Sequence, residues 1–277
     1  MVHALKLTRR RIIAGLGAAA AVAPCRAQAE PYSEVFYPSG ALRIQAYLYR
    51  PAGAGPFPAI IYNHGSRAGL ERRPVPWVRL AGLYVSAGYA VLVPERRGYG
   101  KSDGPSWSET VGNATGPIVV GRCEAETDDV LAGADFLAAQ PFVDRNRFGI
   151  VGWSLGGIVT LFAIARSKIF KAAVDQAGGV LTWRFSAPLR QALADAVRTA
   201  NCPVLMMDAE NDAAPEAIPN LAQGLPPGGP SRAVMYPPFS PSHPEARIAP
   251  GHLLFAAEGI PVWGKDAVGF LDTFLKR

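Results

Sequence analysis

Short, almost wholly apolar runs recur along the chain and alternate with stretches in which apolar residues return every three to four positions. The first kind, at 58–62, 89–93, 148–151, 171–174 and 203–207, has the length and composition of strands buried on both faces. The second kind, at 78–87, 124–139, 158–165, 187–199 and 266–275, has the period of helices with one apolar stripe. Runs at 34–37 and 42–49, joined by Pro38-Ser39-Gly40, read as an antiparallel start, and 234–236 as a last short strand. This alternation, with no internal repeat, predicts an α/β protein: one doubly wound, mostly parallel sheet with helices on both faces. Right-handed crossovers then bring the C-terminal ends of the parallel strands to one edge. Residues 105–121 have no clear period and read as a loop, a short cap over that edge. Residues 180–200 are expected to add Trp183, Phe185, Leu189 and Leu193 at its mouth, and 223–231 to form a surface loop. No linker divides the chain, so 30–277 are expected to form a single domain.

Charge changes the picture only at the start. Lys6, Arg9, Arg10, Arg11 and Arg26 account for +5 of the formal +6, so the remainder is nearly neutral and offers nucleic acid no basic surface. Residues 1–29 have the layout of an export signal: a basic start, an uncharged run from 12 to 23, and Ala27-Gln28-Ala29 as a cleavage site. That run is too short to span a bilayer, so membrane contact is expected only during export. Thr8-Arg9-Arg10-Arg11-Ile12-Ile13 fits a twin-arginine signal, or an ordinary secretory signal with three arginines. Either places the mature protein in the periplasm or outside the cell. Pro24, ahead of Cys25, stands where a lipoprotein signal would carry a small residue. Cys123 is read as opening a helix and Cys202 as opening a strand, at opposite ends of the sheet, so both are expected to be unpaired and mostly buried.

The candidate chemistry centres on Gly152-Trp153-Ser154-Leu155-Gly156-Gly157, between an apolar strand and a helical stripe. Strand, tight turn and helix around G-x-S-x-G is the setting of a nucleophile elbow. It puts Ser154 at the strand edge and at a helix N-terminus, where negative charge is favoured. A serine hydroxyl needs a base, itself oriented by a third group. After Ser154 there are two histidines: His252 in a loop before the last helix, and His243 between prolines. The acid should follow a later buried strand, and Asp208, Glu210 and Asp212 do; Asp212 leaves the most loop to reach a histidine. Ser154, Asp212 and His252 are therefore the expected triad. The expected oxyanion donors are the N–H groups of Leu155 and Ser66, with Gly65 permitting close approach and His64 either shaping the loop or serving as a satisfied structural histidine. No cofactor or metal is expected: His and Cys lack ligand spacing, and Gly98-Tyr99-Gly100-Lys101-Ser102 lacks the opening glycine of a phosphate loop.

Asn63-His64-Gly65-Ser66, Arg97-Gly98-Tyr99-Gly100-Lys101-Ser102, Gly152 to Gly157, Glu210-Asn211-Asp212 and Gly251-His252 together resemble an α/β-hydrolase. The resemblance runs from Tyr32 onward and is nearest the dienelactone hydrolase-like and prolyl oligopeptidase-like branches. It implies an α/β-hydrolase fold and a serine hydrolase that cleaves small-molecule carboxylic esters through an acyl-enzyme on Ser154. It leaves open a small serine peptidase, and a catalytically silent binding protein on the same fold. Dienelactone hydrolases use cysteine where this chain has Ser154, and the oligopeptidases carry an added propeller for which residues 30–277 are expected to leave no room. The acyl pocket is expected to be shallow and partly apolar.

Overall fold

Eight strands form a single sheet in the computed structural model, which describes residues 30–276. The expected export signal and Cys25 lie outside the described residues. The strands are β1 (Ser33–Ser39), β2 (Leu42–Tyr49), β3 (Phe57–Asn63), β4 (Ala90–Glu95), β5 (Val143–Trp153), β6 (Phe170–Gln176), β7 (Val204–Ala209) and β8 (Arg232–Tyr236), in the order β1-β2-β4-β3-β5-β6-β7-β8. β1 pairs antiparallel with β2, and β2 with β4; every later neighbour is parallel. β5 is longer than its apolar run because its charged start, with Asp144, Arg145 and Arg147, precedes the buried half at Phe148.

The helices are α1 (Val78–Ser86), α2 (Trp107–Thr110), α3 (Pro117–Ala138), α4 (Leu155–Arg166), α5 (Ala187–Arg198), α6 (Ala217–Ala222) and α7 (Ile260–Leu275). α1 and α7 pack together over one face of the sheet, and α3, α4 and α5 over the other. None of the described helices is long and apolar enough to cross a membrane.

Three expectations are corrected. The stretch 105–121 is not all loop: Ser106 caps α2 in a capping box with Glu109, and α3 starts at Pro117 instead of 124. Cys123, read as opening a helix, is therefore interior to α3, as are the acids at 124, 126, 128 and 129. The last helix begins at Ile260, six residues before the apolar stripe becomes regular. Proline stands near the start of both helices; its fixed φ suits a first turn although it breaks the pattern that reveals one.

Cys123 and Cys202 are both free, the first fully buried and the second partly. Burial pushes the Cys202 thiol up to about 12, so it stays protonated near neutrality.

Candidate active site

The end of β5 lies between Asn63 of β3 and Asp175 of β6, both paired with Gly152. The turn that follows is too tight for side chains. A Cβ at Gly152 would lie 2.1 Å from the Gly156 carbonyl oxygen, one at Gly156 would lie 2.0 Å from the Asn63 carbonyl oxygen, and one at Gly157 would lie 2.3 Å from Asp175 Oδ1. Ser154 takes φ 58° and ψ −118°, a conformation that costs a non-glycine residue free energy and that its surroundings must impose. The strain lifts its side chain out of the sheet edge as α4 begins.

The structure brings the three expected residues together. Asp212, in the loop after β7, accepts from His252 Nδ1 at 2.7 Å, and His252 Nε2 lies 2.8 Å from Ser154 Oγ. Asp212 and His252 are buried, while Ser154 is partly open. Gly251 lets the two loops meet, since a Cβ there would lie 2.6 Å from the Asp212 nitrogen. Trp153 Nε1 donates to the His252 carbonyl at 3.1 Å, so the residue beside Ser154 also holds the histidine loop. Asn211 exchanges hydrogen bonds with the Phe239 backbone at 2.8 and 2.9 Å and fixes the acid loop from below. His243 is exposed and outside this arrangement.

Asp208 does not reach His252. It is buried at the end of β7, where its Oδ1 accepts from the Ala209 N–H at 2.8 Å. Burial, then the neighbouring Asp212 charge, raises its pKa, so Asp208 is the protonated member of that pair. Burial likewise raises Asp175 to about 7; its Oδ1 accepts from the Gly178 N–H at 3.0 Å beneath α4.

A cavity of about 190 Å³ opens beside Ser154, lined among others by Ser66, Trp107, Val119, Leu155, Ile158 and Leu189. Both expected oxyanion donors border it. Of the aromatic and aliphatic residues expected at the mouth, only Leu189 lines the cavity. Trp183 is buried, Leu193 is buried against Gly179, and Phe185 is 72% exposed. Leu181 and Thr182, in the 3₁₀ turn after β6, take the places expected for them, and Trp107 and Val119 come from the stretch read as loop. The Ser186 hydroxyl donates to the Thr115 carbonyl at 2.6 Å and ties the two covering segments together.

Below the loop of Ser66 lies a chain of buried charges that sequence reasoning missed. Arg96 Nε donates to Glu126 at 2.7 Å, and Arg122 Nε to the other Glu126 oxygen at 2.9 Å. Arg122 also donates to the Pro105 and Arg97 carbonyls, at 2.9 and 2.7 Å, and so holds the segment that leads into α2. Arg97 makes a two-pronged contact with Asp129 at 2.8 and 2.9 Å, and Arg67 pairs with Glu95. A signal was available: once Pro117 is taken as the start of α3, Glu126 and Asp129 become mid-helix acids in need of partners. Among the described residues, no group of three or more His, Cys, Asp or Glu is arranged to hold a metal ion.

The family model for the prolyl oligopeptidase family matches residues 79–196. Mouse dipeptidyl peptidase 8 is 33% identical over 148 residues, a match that covers 50% of this chain and 15% of that much longer protein. Among solved structures, Est1E from Butyrivibrio proteoclasticus with bound ferulic acid superposes with a TM-score of 0.63 at 17% identity, covering 88% of this chain and 100% of that one. A dienelactone hydrolase from Anabaena variabilis gives a TM-score of 0.60 at 19% identity, covering 89% of this chain and 100% of that one. The fold is that of the α/β-hydrolases, and residues 79–196 are similar to the prolyl oligopeptidase family. The proteins the chain is similar to include a dipeptidyl peptidase, an esterase and a dienelactone hydrolase.

Proposed function

We propose that this hydrolase cleaves carboxylic esters through an acyl-enzyme on Ser154. The observation that carries the reading is the continuous relay from Asp212 through His252 to Ser154, with each contact below 3 Å. A carboxylate only accepts, so His252 bears its proton on Nδ1 and leaves Nε2 free to take the Ser154 proton as Oγ attacks the ester carbonyl. The oxyanion forms beside the N–H groups of Leu155 and Ser66, and the positive end of α4 supports it. Protonated His252 then gives its proton to the leaving alcohol, and water, activated by the same histidine, releases the acid.

The leaving group has to lie on the His252 side. His252 does not line the 190 Å³ cavity, so the cavity receives the acyl half. An apolar cavity of about 150 Å³ accommodates benzene, so the acyl group is compact, of ring size or a short chain. None of the lining residues is charged, which favours a neutral acyl group over a peptide bearing a free ammonium. The match of 79–196 to the prolyl oligopeptidase family favours a second reading, a small serine peptidase.

A fluorophosphonate probe should label Ser154, and Ser154→Ala should abolish turnover down to a residual of about 10³-fold over water. Labelling elsewhere would end the proposal. A panel of p-nitrophenyl esters from acetyl to palmitoyl, beside aminoacyl amides, separates the readings. kcat/KM should rise over the short acyl chains and fall beyond about octanoyl, while higher efficiency on amides than on any ester would favour the peptidase.

The basic start, apolar run and Ala27-Gln28-Ala29 of residues 1–29 support export, through the twin-arginine route, to the periplasm or beyond. Mass spectrometry of the exported protein should find Glu30 at its N-terminus; an intact Met1 would refute this.

A further inference from the structure

The loop that presents Ser66 is held from inside the protein by two hydrogen bonds to its own carbonyls. Arg96 Nη2 donates to the His64 carbonyl at 2.9 Å, and His64 Nδ1 lies 2.7 Å from the Gly65 carbonyl oxygen. A carbonyl oxygen only accepts, so Nδ1 is the protonated nitrogen of that ring. The Gly65–Ser66 peptide is planar and trans, and its C=O and N–H therefore point in opposite directions. A Gly65 carbonyl drawn back onto the buried His64 ring turns the Ser66 N–H outward. Ser66 is exposed on that side and borders the cavity with Ser154. Gly65 makes the approach possible, since a Cβ there would lie 3.3 Å from Ser154 Cβ.

The ring itself has no room to turn. It is fully buried, stacks on Trp77 at 5.9 Å and 8°, and meets the Tyr99 ring edge-on at 4.8 Å. Burial, then the Arg96 and Arg67 guanidiniums, hold the imidazolium well below its ordinary range, so the ring is neutral. Nε2 makes no hydrogen bond among the described residues, and its nearest acid, Glu95, is 3.6 Å away. The nitrogen that acts on the loop is Nδ1.

We infer that His64 is a positioning residue that aims the Ser66 N–H at the developing oxyanion by holding the Gly65 carbonyl, with Arg96 anchoring the preceding peptide. The inference rests on reading Ser154 as nucleophile and Ser66 as donor. It makes an unusual demand on substitutions. Asn places an amide nitrogen where Nδ1 stands, whereas Gln places one where Nε2 stands.

In the full-length enzyme, His64→Ala should lower kcat on the order of 10²-fold, the scale of losing one oxyanion donor, and leave KM unchanged. Affinity for an arylboronic acid, which forms a tetrahedral adduct on the serine, should fall by a similar factor. His64→Asn should restore most of both quantities, and His64→Gln should not. Equal behaviour of the Asn and Gln variants would overturn the assignment, as would a rise in KM with kcat and boronate affinity kept. If His64→Ala does not fold, the Asn and Gln pair decides alone. Ser154→Ala is measured alongside. Turnover surviving in it would bring down the Ser154 reading and this inference together, whereas its loss leaves the Asn and Gln comparison to judge His64.

Discussion

Both ring nitrogens of His252 are engaged, one by an acid and one by a hydroxyl, whereas His243 lies exposed on a loop. His252→Ala should therefore cut kcat by about 10⁴-fold or more, and His243→Ala should leave it near wild type. Steady-state kinetics of the two variants test this, and the reverse ranking would transfer the base to His243. Asp175 is a different case, because it titrates without touching the reacting atoms. Its pKa is raised from an ordinary value near 4 to about 7, so the folded state holds a proton that the unfolded chain releases. The stability from that proton is present in full below about pH 4 and is lost as pH rises through about 7. Asp175→Asn should flatten the fall in Tm across that window, and parallel profiles for the two proteins would count against it.

At the scale of elements, the elbow shows how much of the site local sequence dictates. Three glycines were visible around Ser154, and each proves to face a backbone or carboxylate oxygen closer than any Cβ tolerates. Gly156→Ala should cost about 3 kcal/mol or more, a loss of about 6–12 °C in Tm for a domain of this size, measured by thermal melting. An unchanged Tm would mean that Asn63 and α4 can separate. The apolar strands were legible for a related reason: a run buried on both faces has little choice of period. Helix starts were less legible. α3 opens on Pro117 followed by two valines after Ile118, residues that hide a helical stripe, and α2 is announced only by Ser106 and Glu109 three residues apart. The fold was read from apolar periodicity, and what escaped it was held by proline, caps and buried charge.

Over the whole molecule, the three central site residues were legible because their order along the chain and their places at strand ends constrain them jointly. The walls of the cavity were not. Trp107, Val119, Leu181 and Thr182 come from segments with weak period, which tertiary contacts such as that between Ser186 and Thr115 bring together. The same holds for Arg96 and Glu126, whose partnership depends on how α3 crosses the sheet, whereas Arg122 meets Glu126 one turn along the same helix. The separations along the chain carry one more consequence. His252 stands 40 residues from Asp212 and 98 from Ser154, so the relay joins three segments that lie far apart along the chain. The relay is therefore complete only once the segment that carries His252 has docked on the loops of Asp212 and Ser154, and a nascent chain lacks it until then.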